Sequence, residues 1–139
     1  MHCKTIGMVR LHPSDVQVDI GSWATFTCNV PCDLSQSHTV KWFVGEFPNN
    51  RRQVDSGFKQ RTGIETEITD VSVCGAAATT GEQNMEQQLR IKVLSAQKMN
   101  KTAVQCAALR KGPSYQDLYS HYSMIIVNGA CVSNSLIEI

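Results

Sequence analysis

Polar and apolar residues alternate with period two over several stretches of the chain, the spacing of a half-buried β-strand whose side chains point to opposite faces in turn. In Trp23-Ala24-Thr25-Phe26-Thr27-Cys28-Asn29-Val30, the residues Ala24, Phe26, Cys28 and Val30 share one face, and Thr25, Thr27 and Asn29 share the other. Residues 39–44 place Val40, Trp42 and Val44 together, and residues 103–108 do the same for Val104, Cys106 and Ala108 within a strand expected at 102–109. Further strands are predicted at 64–74, where Ile64, Thr66 and Ile68 coincide, at 85–94 and at 119–127. Ahead of them, residues 8–11 and 16–20 read as one edge strand broken by a turn at Pro13 and then resumed. Turn residues mark loops at 31–38, 45–50 and 110–117, and residues 75–82, flanked by glycines, read as a loop rather than a helix. Residues 51–60 are weakly patterned and are expected to hold one or two short strands. The elements make an all-β chain, with a short extension at 1–7 and a tail at 129–139.

A cysteine on each of two strands and Trp42 on the strand between them would let a cross-sheet disulfide pack on an indole. On these residues the sequence resembles the immunoglobulin superfamily, with the Cys28 to Trp42 to Cys106 spacing of a variable-type domain over residues 8–128. Gly21 before the Cys28 strand and Leu89-Arg90-Ile91-Lys92-Val93 add to the resemblance. Residues 100–106 stand where the family has Asp-x-Ala/Gly-x-Tyr-x-Cys, but Asn100 replaces the Asp, and Val104 replaces the Tyr that would tie the corner. The last strand also lacks the Phe/Trp-Gly-x-Gly bulge of antigen-receptor variable domains, which argues against a rearranging receptor chain.

The resemblance implies a two-sheet Greek-key sandwich of variable type, a first strand split between the sheets at Pro13, and a Cys28–Cys106 bond. In the chain-entropy account that bond contributes about 4 to 5 kcal/mol. It also implies that the loops carrying Cys32 and Cys74 share one end of the sandwich, and hence a second bond between them. Six cysteines allow fifteen pairings, and the partners of Cys3 and Cys131 stay open. A bond between those two would need one terminus to travel the length of the sandwich. The alternatives are Cys3 with Cys32 or Cys74, and Cys131 in an intermolecular bond.

Composition narrows the class. With 139 residues and 42% hydrophobic content, the chain supports one domain with a single two-layer core. Net charge is +1 and the thirteen basic residues are scattered, so neither a nucleic-acid interface nor a membrane-surface helix is indicated. Six cysteines without zinc-type doublets point to an oxidising compartment and three disulfides, hence to an extracellular domain, cell-surface or secreted. No apolar run is long enough to span a bilayer and no leader precedes the first strand, so the expectation is an ectodomain related to a membrane only through a removed anchor. Asn100-Lys101-Thr102 is an N-glycosylation sequon, which marks Asn100 as a candidate acceptor. The Cys28-x-x-x-Cys32 spacing lacks the second ligand pair of a zinc site, and His2, His12, His38 and His121 read as surface residues. There is no nucleophile elbow, paired-carboxylate pocket or phosphate loop. The expectation is a binding protein with no cofactor, not an enzyme.

Variable-type domains commonly dock partners through the sheet of strands G, F, C and C′. The resemblance therefore nominates the outward residues Lys41, Phe43, Gln105, Ala107 and Leu109, with Arg110 and Tyr115 from the adjoining loop. Period-2 alternation puts the first five on the side opposite the core. Phe43 beside Ala107 and Leu109 would make an exposed apolar patch, unless residues 51–58 cover the ring. The function expected is a receptor or adhesion domain that binds a cell-surface protein, a second copy of itself included. The alternatives are a secreted module using the 31–38 and 110–117 loops on a soluble or microbial ligand, and an architectural spacer.

Overall fold

Two sheets face each other across the apolar sides of these strands in a computed structural model that describes residues 9–46, 50–75 and 83–128. The elements run β1 (Arg10–His12), β2 (Asp15–Val18), β3 (Trp23–Pro31), β4 (His38–Glu46), β5 (Asn50–Gln53), α1 (Phe58–Thr62), β6 (Thr66–Ser72), β7 (Asn84–Lys92), α2 (Ala96–Met99), β8 (Thr102–Arg110), β9 (Leu118–Tyr119) and β10 (Ser123–Val127). One sheet has the order β1-β3-β7-β6, and the other has β2-β10-β8-β4-β5 with β9 paired to β8. All pairings are antiparallel except β2 with β10, which is parallel.

The expected split of the first strand is present. The chain passes from β1, beside β3, to β2, beside β10, through a cis His12–Pro13 peptide. Ser123 Oγ donates to the Pro13 carbonyl (2.7 Å), which ties the switch to β10.

The core lies between the sheets. Phe26, Leu89 and Ile91 from one sheet meet Trp42, Val104 and Ile125 from the other, all at most 1% exposed. Cys28 on β3 is bonded to Cys106 on β8 with Cα atoms 6.3 Å apart, so the disulfide joins the two sheets. Trp42 lies directly opposite Cys106 in the β4–β8 ladder. Its indole N–H donates across the sandwich to Gln87 Oε1 (2.7 Å), and Gln87 Nε2 in turn donates to Asp70 (2.8 Å). Burying the indole therefore leaves no donor unpaired. A second disulfide, Cys32–Cys74, has its Cα atoms 5.7 Å apart and spans the end of β7 from the residue just after β3 to the segment after β6.

Three segments differ from the sequence expectation. Residues 51–60 contain one strand and then the helix α1, because Phe58 (1% exposed) closes the gap between sheet edges and a short helix aims it inward. Gly63, at φ 74° as glycine readily adopts, ends that helix by donating its N–H to the Lys59 carbonyl. The strand expected at 64–74 is shorter and, apart from half-buried Thr66, exposed, since β6 has a neighbour on one side only. The strand expected at 119–127 is broken into β9 and β10. From Tyr119 to Ser123 is four steps, whereas their β8 partners Ala107 and Val104 are three apart, so one extra residue is accommodated as a bulge. This bulge uses no glycine; Ser120 Oγ accepts from Cys106 N (3.1 Å) and donates to the His121 carbonyl (2.7 Å).

The corner before β8 is held without the family's tyrosine. Ser95 caps α2, Asn100 Oδ1 accepts from Val127 N (2.9 Å), and Lys101 N donates to the Ile125 carbonyl (2.7 Å). The described elements run from Arg10 to Val127. The 1–7 extension, the 129–139 tail, residues 76–82 of the expected loop, and Cys3, Cys131 and His2 lie outside the described residues.

Candidate functional site

The outer face of the β10-β8-β4-β5 sheet collects the nominated residues, but its surface is not the one their alternation implies. Lys41, Phe43, Gln105, Ala107 and Leu109 do lie on one side, because β4 and β8 pair with Lys41 opposite Ala107, Phe43 opposite Gln105 and Thr39 opposite Leu109. They are not an open apolar patch. Gln105 is 5% exposed and Ala107 is 0% exposed, while Lys41, Phe43 and Leu109 are half-buried.

The cover comes from β5 and β9. Gly45 is paired with Arg51, and a Cβ on Gly45 would run into the Asn50 carbonyl and come within 2.7 Å of the Arg51 Cα, so only glycine lets β5 fold this closely onto β4. That register lays the Arg51 side chain over Phe43. The guanidinium carbon is 5.0 Å from the Phe43 ring centroid and 5.0 Å from that of Tyr119 on β9. The two rings are tilted with centroids 6.4 Å apart. Beneath them Arg51 Nη1 donates to Gln105 Oε1, and Gln105 Nε2 donates to the Ser120 carbonyl (2.8 Å). A buried amide is thus satisfied on both sides, and a cation is seated on two aromatic faces.

Arg110 and Tyr115 sit apart from this cluster, at the β8–β9 loop. Arg110 N donates to Asp117 Oδ1 (2.8 Å), and Tyr115, 48% exposed, packs its ring at 5.6 Å from His38. His38 is 5% exposed rather than a surface residue. Its Nε2 donates to the Gln116 carbonyl (2.7 Å) and its Nδ1 is 2.7 Å from Ser37 Oγ, so the imidazole pins the loop to β4. His12 and His121 are exposed as expected. Asn100 is half-buried in the corner, with its side-chain oxygen engaged by β10.

Arg51 and Tyr119 were not nominated from the sequence, although both fall in segments expected to be strands. The signal that could have found them is the glycine at 45 followed by a basic run, Arg51-Arg52, at hairpin distance from Phe43. Among the described residues no group of three or more His, Cys, Asp or Glu is placed to hold a metal ion, and no helix is long and apolar enough to cross a membrane. Two open cavities, of about 600 and 190 Å³, lie off the Arg51 cluster; the first is lined by Lys98, Asn100 and Lys101, the second by Arg52, Phe58 and Ile64.

No protein-family model matches the chain, and no curated protein matches it either. Solved structures do: 886 chains match, so the architecture is widely shared and does not by itself indicate a partner. One is a chain from a structure described as "Structural basis of T cell specificity and activation by the bacterial superantigen toxic shock syndrome toxin-1". The two are similar with a TM-score of 0.56 at 14% identity, over 86% of this chain and 98% of that chain. The similarity is one of fold, and it extends over nearly the whole of both.

Proposed function

We propose that the chain is a variable-type immunoglobulin domain from outside the cell, the recognition domain of a cell-surface receptor or adhesion protein. It binds a protein partner through the outer face of the β10-β8-β4-β5 sheet. One observation carries this reading: the outer side of β8 is roofed by an ordered cluster of Phe43, Arg51, Gln105 and Tyr119, rather than left as a solvated sheet surface. Aromatic residues and Arg, held rigidly before binding, are the residue types that dominate protein interfaces, because little side-chain entropy remains to be lost. The two disulfides and the parallel β2–β10 pairing beside a split first strand support the extracellular and variable-type parts of the reading.

A second reading is supported by the His38 pin, which holds the β8–β9 loop and Tyr115 in place as a secreted loop-binding module would require. A screen against surface proteins of the chain's own source supplies the partner, and three variants then separate the readings. Leu109→Asp and Phe43→Ala are expected to weaken binding by about 2 kcal/mol or more, and Tyr115→Ala by much less. If Tyr115→Ala abolishes binding while the other two bind like the parent, the sheet face is not the docking surface and the loops are.

A further inference from the structure

Arg51 is seated on two rings, and no ion pair among the described residues answers its charge. It rests on Phe43 and Tyr119, and Gln105 takes one of its five N–H donors. The ion pairs among the described residues are Arg61–Asp55, Arg90–Glu67 and Arg110–Asp117, and none of them uses Arg51. Its side chain is nonetheless exposed. A guanidinium oriented by two rings keeps in-plane N–H groups for a two-pronged bond to a carboxylate, and the ordering of its long side chain has already taken place.

The charge around it selects the occupant. Lys41 on β4 lies on the same face, Arg110 and Lys111 lie at the tip of the same sheet, and Asp117 is already engaged by Arg110. A second copy docking by the same face would bring these cations against one another, whereas an acidic protein surface meets them with opposite charge. The half-buried Phe43 ring and the Tyr119 ring each turn to the guanidinium. We infer that Arg51, seated on Phe43 and Tyr119 and tethered by Gln105, is the carboxylate-docking point of this domain, and that its partner is a protein presenting an Asp or Glu side chain at the centre of the contact. The inference rests on the sheet-face reading above and adds to it the chemistry of the partner.

The test is an NMR titration of the whole ¹⁵N-labelled chain with two capped peptides, acetyl-Val-Glu-Val-amide and acetyl-Val-Gln-Val-amide, reading the arginine Nε–H and backbone amide signals. The Glu peptide is expected to shift Arg51 Nε–H and the Gln105 and Tyr119 amides saturably in the millimolar range, about 10-fold more tightly than the Gln peptide. That preference should vanish in Arg51→Gln and shrink in Tyr119→Leu, which keeps the cation but removes one ring. Since the two peptides are compared on the parent protein, the result stands even if a variant fails to fold. Equal responses at Arg51 overturn the carboxylate assignment and leave the sheet-face reading intact. Shifts confined to Arg110, Lys111 and Tyr115 overturn both. No shift at any residue up to about 50 mM Glu peptide, weaker than one charge-assisted pair should give, overturns the inference alone. A stronger response at Arg51 to glucuronate than to the Glu peptide overturns the choice of a protein partner in favour of an acidic sugar.

Discussion

β7 and β8 are inner strands of opposite sheets, each nine residues long, and they are buried differently. On β7 the outward residues Glu86, Gln88, Arg90 and Lys92 are all partly solvated, and Arg90 meets Glu67 at 2.8 Å in a pair whose side chains are 38% and 51% exposed. On β8 every residue from Thr102 to Ala108 is buried, so both of its faces are covered. The sheet containing β7 is thus an ordinary antiparallel sheet with one face to the core and one to water. The sheet containing β8 has a second, thinner layer on its outside, made by Arg51, Phe43 and Tyr119. Equal alternation therefore does not mean equal exposure: the outer side of β8 is covered from Thr102 to Ala108, whereas that of β7 stays partly solvated, with Arg90 and Lys92 lying over the Trp23 ring of β3.

The largest expected effect tests what the two sheets have in common. Replacing both Cys28 and Cys106 by Ala should lower unfolding stability by about 3 to 5 kcal/mol in a denaturant titration, since the bond closes a loop of 78 residues between the sheets. Next comes the hinge of the outer layer. Gly45→Ala should cost about 1 to 3 kcal/mol, because β5 must move off β4 to admit a methyl group, and the Arg51 Nε–H signal should shift with it. A loss under about 0.5 kcal/mol with Arg51 unmoved would mean that the layer does not depend on this close approach.

A smaller effect puts the two faces side by side. Phe43→Ala should destabilise the free protein by about 1 to 2 kcal/mol because the ring is half-buried under Arg51, while Thr27→Ala on the outer face of β3 should stay within about 0.5 kcal/mol. Equal values would remove the distinction between a built face and a solvated one. The smallest effect concerns Asp55, whose carboxyl is held below the ordinary aspartate value of 3.8, chiefly by the Arg61 guanidinium at 2.9 Å. Because the folded pKa is depressed, its contribution is present above the unfolded aspartate pKa and is lost as pH falls through the folded one. Any stability difference between the parent and Asp55→Asn should accordingly be visible at neutral pH and gone in acid below the folded pKa.

The sequence by itself determined the sandwich. Alternation around Cys28, Trp42 and Cys106 assigned each residue to the inside or the outside, and apolar residues at every second position leave little choice of register once one face must be buried. The break at Pro13 was legible locally, since proline has no N–H to give to a ladder, whereas the crossing to the other sheet was implied only by the resemblance. The Cys32–Cys74 bond could be anticipated only through the family's loop arrangement, and it is present.

What the tertiary structure alone decided is cover. Period two tells which side Gln105 and Ala107 face, but not what lies on that side. That depends on Gly45 admitting Arg51 and on Tyr119 pairing with Ala107, contacts between strands that no local pattern links. The same holds for α1, which exists to deliver Phe58 to a gap formed by other elements. It holds again for Asn100 and Ser120, whose side chains take over a corner and a bulge that the family builds with tyrosine and glycine. A residue's side of a sheet is set by the backbone repeat, whereas its exposure is set by neighbours brought from elsewhere in the chain.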